Sequence, residues 1–364
     1  MTSTTRDPRR IEAARHAFTV RHLRRACSVA PQPYLRSSIL AGVRAGLTVA
    51  IALPLVALSP HPELIGYAAL GALPALFGRF EPRRGRSRVV LAAAALQTLG
   101  ILLFSILGWL GLPVEAQLAL LALACGVFFF ITSTARFGPP GAVIFVFACG
   151  AALVPAGSLA EIAARGLAAA AVGALAFAIC AVTERLRHLP DGQDYPKETL
   201  RPLYDRMAAT LKIVLGTGLA LYAGHLAGVD HPVWAAMGTL VVLQGPNLHT
   251  NLSRALQRMA GTMLGAVVAW LVLVQGPSLP VLIATLFALQ FATELVIGAN
   301  YALGQIFLTP MALLMSQLGA PSSTGAEMAP ERVLDTLLGA CVAIVVAIAL
   351  STAAERRELT QGSS

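Results

Sequence analysis

The stretch from Val89 to Leu110 reads VVLAAAALQTLGILLFSILGWL, without one charged side chain. A helix needs about 20 such residues to cross a bilayer, so this run is long enough to span. Working outward on the N-terminal side, comparable apolar runs lie near 38–58 and 64–80, and three more follow near 114–135, 139–156 and 159–184. A second set lies near 203–226, 232–246, 259–275, 279–297, 300–318 and 330–352. The chain of 364 residues is 56% hydrophobic and only 12% charged, about half the charged fraction of a soluble domain. A soluble enzyme is excluded, and the fold expected is an all-α integral membrane protein with about twelve transmembrane helices.

The arginines set the orientation. The net charge is +9 and only Lys197 and Lys212 are lysines. Eight arginines lie in the arm before the first run (Arg6 to Arg36), and five between the second and third runs (Arg79, Arg83, Arg84, Arg86, Arg88). Arg185, Arg187, Arg201, Arg206, Arg254, Arg258, Arg356 and Arg357 follow at alternate connections, while the opposite connections carry Glu63, Glu115, Asp230 and Glu327. The positive-inside rule then puts both termini in the cytoplasm. This distribution argues against nucleic acid as a partner. The arm from Ile11 to Cys27 can lie as an amphipathic helix on anionic lipid, or serve only to enforce topology.

The two sets of runs echo each other. Tyr67-Ala-Ala-Leu-Gly71-Ala-Leu recurs as Trp234-Ala-Ala-Met-Gly238-Thr-Leu, 167 positions later, and Arg44, Arg88 and Gly173 have rough counterparts in Lys212, Arg258 and Gly339. Six spans per half is an even number, so the expected layout is two parallel six-helix repeats. The chain divides into a basic arm (1–37), a first repeat (38–186), a linker (187–202), a second repeat (203–353) and a tail (354–364). Runs two and eight are interrupted by glycine and proline, at Gly71, Pro74 and Gly78, and at Gly238, Gly245 and Pro246. Paired interrupted segments point to a transport site, with Gln244 at the end of the second. The competing reading is close helix packing, which Gly42-x-x-x-Gly46 and Gly261-x-x-x-Gly265 also suggest; the same pattern is compatible with a homodimer.

Ionisable residues within spans are functional candidates because burying a charge in hydrocarbon costs about 2.5–3.5 kcal/mol. Here they are Arg44, Lys212, Arg165, Arg332, Glu294 and Asp335. If the four cations face one another, they form two basic rings suited to an anion. Otherwise Arg44 and Lys212 snorkel to the interface, and Arg165 and Arg332 pair with Glu161 and Glu331. Asp335 lies three residues beyond Arg332 and can pair with it on one helix face. Glu294, if buried, can carry a proton, and Asp335 is a second candidate. Tyr67 and Trp234 can stack on an aromatic substrate or sit in the interfacial aromatic belt. The five cysteines have no CxxC spacing, and His225, His231 and His249 have no ligand-like spacing, so no metal site is expected. No GxSxG, HExxH, P-loop or dinucleotide motif occurs; neither an enzyme nor a cofactor is expected.

Four ordered blocks carry a family resemblance: Trp234-Ala-Ala-Met-Gly-Thr-Leu-Val-Val-Leu-Gln244, Arg254-Ala-Leu-Gln-Arg258-Met-Ala-Gly261-Thr262-Met-Leu-Gly265, Asn300-Tyr-Ala-Leu-Gly-Gln-Ile-Phe-Leu-Thr-Pro310 and Glu331-Arg332-Val-Leu-Asp335-Thr-Leu-Leu-Gly339. They resemble the fusaric acid resistance (FUSC) and aromatic acid exporter group. The resemblance implies efflux of aromatic or other organic acids across a bacterial inner membrane, and distant kinship with plant aluminium-activated malate channels. The expected function is secondary, proton-coupled export of a small organic anion. A passive anion channel and a non-transporting envelope-assembly subunit are the alternatives.

Overall fold

The computed structural model describes residues 35–79, 81, 83–186, 200–229, 231–319 and 328–361. The N-terminal arm, most of the linker, Asp230 and Glu327 lie outside these residues, as do the expectations placed on them. Among the described residues every regular element is helical. The first six apolar runs form α1 (Leu35–Ala57), α2 (Pro62–Leu76, part 3-10), α3 (Arg83–Trp109), α4 (Val114–Thr134), α5 (Val143–Ala152) and α6 (Leu159–Val182). The second six form α7 (Leu203–Leu226), α8 (Pro232–Leu243), α9 (Leu248–Leu273), α10 (Leu279–Val296), α11 (Tyr301–Gly319) and α12 (Met328–Ala349), and α13 (Ala353–Gln361) follows.

Nine of these helices are long and apolar enough to cross a membrane; α2, α5 and α8 are shorter. Twelve crossings were expected, and among the described residues nine helices reach spanning length. The reason lies in the punctuation. α8 begins on Pro232 and stops before Gly245-Pro246, leaving 12 residues, or about 18 Å at 1.5 Å per residue. α2 changes from α-helix to 3-10 helix at Ala72, ahead of Pro74.

A short helix in lipid would leave backbone groups unsatisfied, so it has to be enclosed by protein. That is where α2 and α8 sit. Seven of the eight residues from Ile65 to Ala72 are buried, as are all those from Trp234 to Leu240. The long helices surround them and turn Leu99, Leu103, Leu167, Leu219, Val267 and Leu271 outward, as a lipid-facing surface requires.

Helix contacts recur six elements on. α3 packs on α6 and α9 on α12; α2 on α6 and α8 on α12; α3 on α5 and α9 on α11. Contacts between the halves recur too, α4 on α7 with α10 on α1, and α5 on α8 with α11 on α2.

Glycine permits the closest approaches. At α1 against α10, Gly42 and Gly46 receive the rings of Phe291 and Phe287, and at α9 against α11, Gly261 lies on the Ala302 carbonyl. At Gly339 any Cβ would overlap the Ala235 carbonyl oxygen of α8. Thr239 fixes the same contact by donating its hydroxyl to the Gly339 carbonyl at 2.8 Å. Gly339→Val should force α8 and α12 apart, destabilising the protein by about 1–3 kcal/mol as over-packing does. Thermal unfolding in detergent should show a lowered midpoint for this variant and none for Cys341→Val, whose side chain is exposed.

Candidate functional site

A cavity of about 900 Å³ lies between the two halves. It is walled by the ends of α2, α4, α7 and α9, by one face each of α5, α8 and α11, by the last turns of α10, and by Arg332 of α12. The chain direction assigns its depth. The N-termini of α7 and α9 and the C-termini of α4 and α10 share the arginine-rich end, whereas Arg332, four residues into α12, and Met315, near the end of α11, belong to the opposite end.

The charge lining this space is lopsided. Arg79, Arg136, Arg201, Arg206 and Arg254 surround the basic end, and Arg258 and Arg332 lie deeper; Asp205 and Glu294 are the acids among the described lining residues. Glu294 engages Arg79 at 3.3 Å. Arg79 also donates to Ser38 of α1, so this ion pair ties α1, the segment after α2, and α10. Arg206 joins α7 to α4 by donating to Thr134 at 2.6 Å. Gln244, at the end of α8, accepts from the Ala142 amide at 3.4 Å and so links α8 to the connection before α5.

Arg258 and Arg332 are each only 2% exposed. Arg258 donates to the Tyr301 hydroxyl at 3.2 Å and to Gln305 Oε1 at 3.4 Å, which aims its guanidinium. Arg332 lies over the Trp234 ring, 4.8 Å from its centroid, a geometry in which the ring face attracts the cation. His231 stacks on Trp234 at 4.6 Å and meets Glu331 at 3.1 Å. Nε and Nη1 of Arg332 and Nε of Arg258 have no hydrogen-bond partner among the described residues.

Of the residues expected from the sequence, Arg332, Glu294 and Gln244 line the cavity, Trp234 lies under Arg332, and Asp335 is buried three residues further along α12. Gly238 lies beside Arg258: a Cβ there would come 3.7 Å from Arg258 Nε. Gly71 instead packs on α6, where a Cβ would meet the Ala169 carbonyl oxygen at 2.6 Å. Arg44 and Lys212 are not among the lining residues. Arg44, fully buried, donates to Thr183 at 2.6 Å and pairs with Glu184 at 3.2 Å; Lys212 is half-buried on α7. Arg165 lies 5.2 Å over Tyr67 and is held by Glu161 at 2.7 Å and by the carbonyls of Val154 and Pro155. Tyr67 and Trp234 thus both carry a guanidinium on their face.

Sequence reasoning did not reach Tyr301 or Gln305, and it set Arg258 in a turn. The apolar run was read as starting at 259, but α9 starts at Leu248 with Asn247 as its cap, accepting from the Thr250 amide at 2.9 Å. Arg258 therefore lies ten residues, about 15 Å, into the helix. The cap residue Asn247 directly after Gly245-Pro246 was the available signal.

Residues 219–346 match the family model of fusaric acid resistance protein-like domains. This segment is similar to that family. The matched segment contains Trp234, Arg258, Tyr301, Gln305 and Arg332 of the cavity. The chain is similar to the uncharacterized membrane protein YvaC of Bacillus subtilis, with 27% identity over 150 residues, and to the inner membrane protein YccS of Escherichia coli, with 33% identity over 141 residues. These alignments take in 40% and 38% of this chain but 24% and 18% of the relatives, so the chain spans about a quarter or less of the curated relatives it matches. No solved structure matches the chain. Together with the helices of spanning length, these relatives establish a multi-pass membrane protein.

Arg44, fully buried, shares Glu184 with the buried Arg86, at 3.2 and 3.9 Å, and removing one partner of a buried ion pair costs about 3–5 kcal/mol because the other is left uncompensated. Arg44→Met should lower the thermal midpoint in detergent by several degrees. Glu184→Met should lower it further, since it strands both arginines.

Proposed function

We propose that this protein is a secondary transporter that exports small organic anions, aromatic carboxylates among them, from the cytoplasm across a bacterial inner membrane. The observation that carries this reading is a cavity at the junction of two bundles, inside a membrane protein, whose lining holds far more guanidinium than carboxylate. Inward-facing arginines are costly in a bilayer, and an anion is the ligand that offsets that cost. The similarity of residues 219–346 to fusaric acid resistance protein-like domains supports the same class.

In this reading the layout is two parallel six-helix repeats, with helix pairings that recur six elements on and the cavity on the pseudo-axis between them. The arginine-rich end faces the cytoplasm, as the positive-inside rule requires. Arg136, Arg201, Arg206 and Arg254 gather anions there and raise their local concentration. An inside-negative potential favours outward movement of an anion by about 2.3 kcal/mol per charge per 100 mV. Glu294 is the group placed to couple protons, because it lines the same space and is held by Arg79; neutralising it would free that guanidinium.

Proteoliposomes loaded with labelled 4-hydroxybenzoate provide the test. The protein should release the label faster than protein-free vesicles when a pH gradient is imposed. Glu294→Gln should abolish the dependence on the pH gradient while leaving flux driven by membrane potential. If no carboxylate moves under either gradient, the transport reading fails, and steady single-channel currents indifferent to pH would replace the coupled carrier with a passive channel.

A further inference from the structure

The two ends of the cavity differ. At the arginine-rich end the lining residues Arg136 and Arg201 are exposed, whereas at the opposite end Met237 and Met315 are buried. Towards that buried end the lining stops at a comparable place on three helices. α5 contributes Phe147 but not Gly150, α8 contributes Met237 but not Val233, and α11 contributes Met315 but not Gly319. Each residue left out lies three or four positions, one helical turn, beyond the last one that lines the space.

Just past the cavity, these residues join one half to the other. A Cβ on Gly150 would overlap Cγ1 of Val233, and a Cβ on Gly66 of α2 would lie 2.5 Å from the Gly319 Cα. The helices come this close because glycine has no Cβ. The two contacts are related by the repeat. Gly66 and Val233, 167 positions apart, stand near the starts of the short helices α2 and α8; Gly150 and Gly319, 169 apart, stand near the ends of α5 and α11. None of the four carries a polar side chain, so parting them strands no charge or side-chain hydrogen bond and forfeits only dispersion contacts. The halves also meet more broadly through long helices, α1 on α10 and α4 on α7. There Gly42 and Gly46 receive Phe291 and Phe287, and Gly126 receives Val214 and Thr210.

We propose that Gly66 with Gly319, and Gly150 with Val233, form a paired seal that closes the cavity at the end away from the arginines, and that the seal parts by hinging of the halves about the α1–α10 and α4–α7 contacts. The inference rests on the transport reading and supplies its release step: the solute enters from the arginine-rich end and leaves when the seal parts. Glycine sets the balance between the two arrangements. At Gly66 the facing atoms are backbone, which cannot be moved aside, so any added carbon holds α2 away from α11. At Gly150 the facing atom is the end of the Val233 side chain, which can give. An alanine therefore favours the parted arrangement more strongly at 66 than at 150.

The test uses the full chain with its five cysteines replaced by alanine. Phe147→Cys, which lines the cavity one turn short of the seal, serves as reporter for a membrane-impermeant maleimide in right-side-out and inside-out vesicles. It should react at least tenfold faster from the cytoplasmic side. Adding Gly66→Ala should raise the rate from the outside at least fivefold, and Gly150→Ala should raise it less. The second arm needs no wedge. In a Gly150→Cys/Val233→Cys pair, without the reporter, the two Cβ atoms would lie 3.3 Å apart, within a few tenths of an ångström of the spacing of about 3.5–4.5 Å that disulfides use. Oxidation with copper phenanthroline should cross-link the pair and cut 4-hydroxybenzoate efflux at least tenfold, and dithiothreitol should restore it. Equal labelling from both sides, an outside rate unmoved by folded Gly66→Ala, failure of the pair to cross-link, or undiminished efflux through the cross-linked protein would each overturn the seal. If the unaltered protein moves no carboxylate the transport reading falls, while one-sided labelling that Gly66→Ala lifts would still support the seal.

Discussion

Two helices too short to cross a hydrocarbon layer, α2 and α8, set the terms for the rest of the molecule. Their ends expose backbone groups at bilayer depth, and lipid cannot satisfy these. Protein therefore has to surround them, and the long helices do so, α6 closing on α2 and α12 on α8. Because each short helix stops before the membrane does, space is left beyond its C-terminus. Arg79 and Gln244, which follow the two helices, both line the cavity that fills this space.

Burial of arginine follows from that enclosure. A guanidinium in such an interior needs a face to rest on and acceptors to engage. The structure supplies these in two ways. Arg44 and Arg165 take acceptors from neighbouring segments, Thr183 with Glu184 and Glu161 with two carbonyls, and they act as ties between elements, Arg44 with its Nη1 left without a partner among the described residues. Arg258 and Arg332 instead line the cavity.

Much of this was legible beforehand. All twelve apolar runs coincide with helical segments, and the Gly and Pro interruptions at 71–78 and 245–246 marked runs two and eight as broken, although both were counted as crossings and prove shorter than a span. Arg332, Glu294 and Gln244 were found because a charge or amide inside an apolar run stands out. Arg258 was missed for the converse reason. It follows a polar stretch, Asn247 to Gln257, so hydropathy placed it outside the membrane, whereas the Asn247 cap starts α9 early and carries it inward. Arg44 looked equivalent to a pathway residue because its partner Glu184 lies 140 positions away, beyond any local pattern.

The sequence by itself determined that the chain is a helical membrane protein, where its helices lie, which of them are broken, and that its embedded charge is mostly positive. These follow from hydropathy, breaker residues and composition, which act over one or two turns of chain. Only the tertiary structure decided which arginines are neutralised and which face a cavity. That outcome depends on acceptors contributed by helices distant in sequence, and a guanidinium inside protein is governed by those few oxygens within 3 to 4 Å rather than by the residues beside it in the chain.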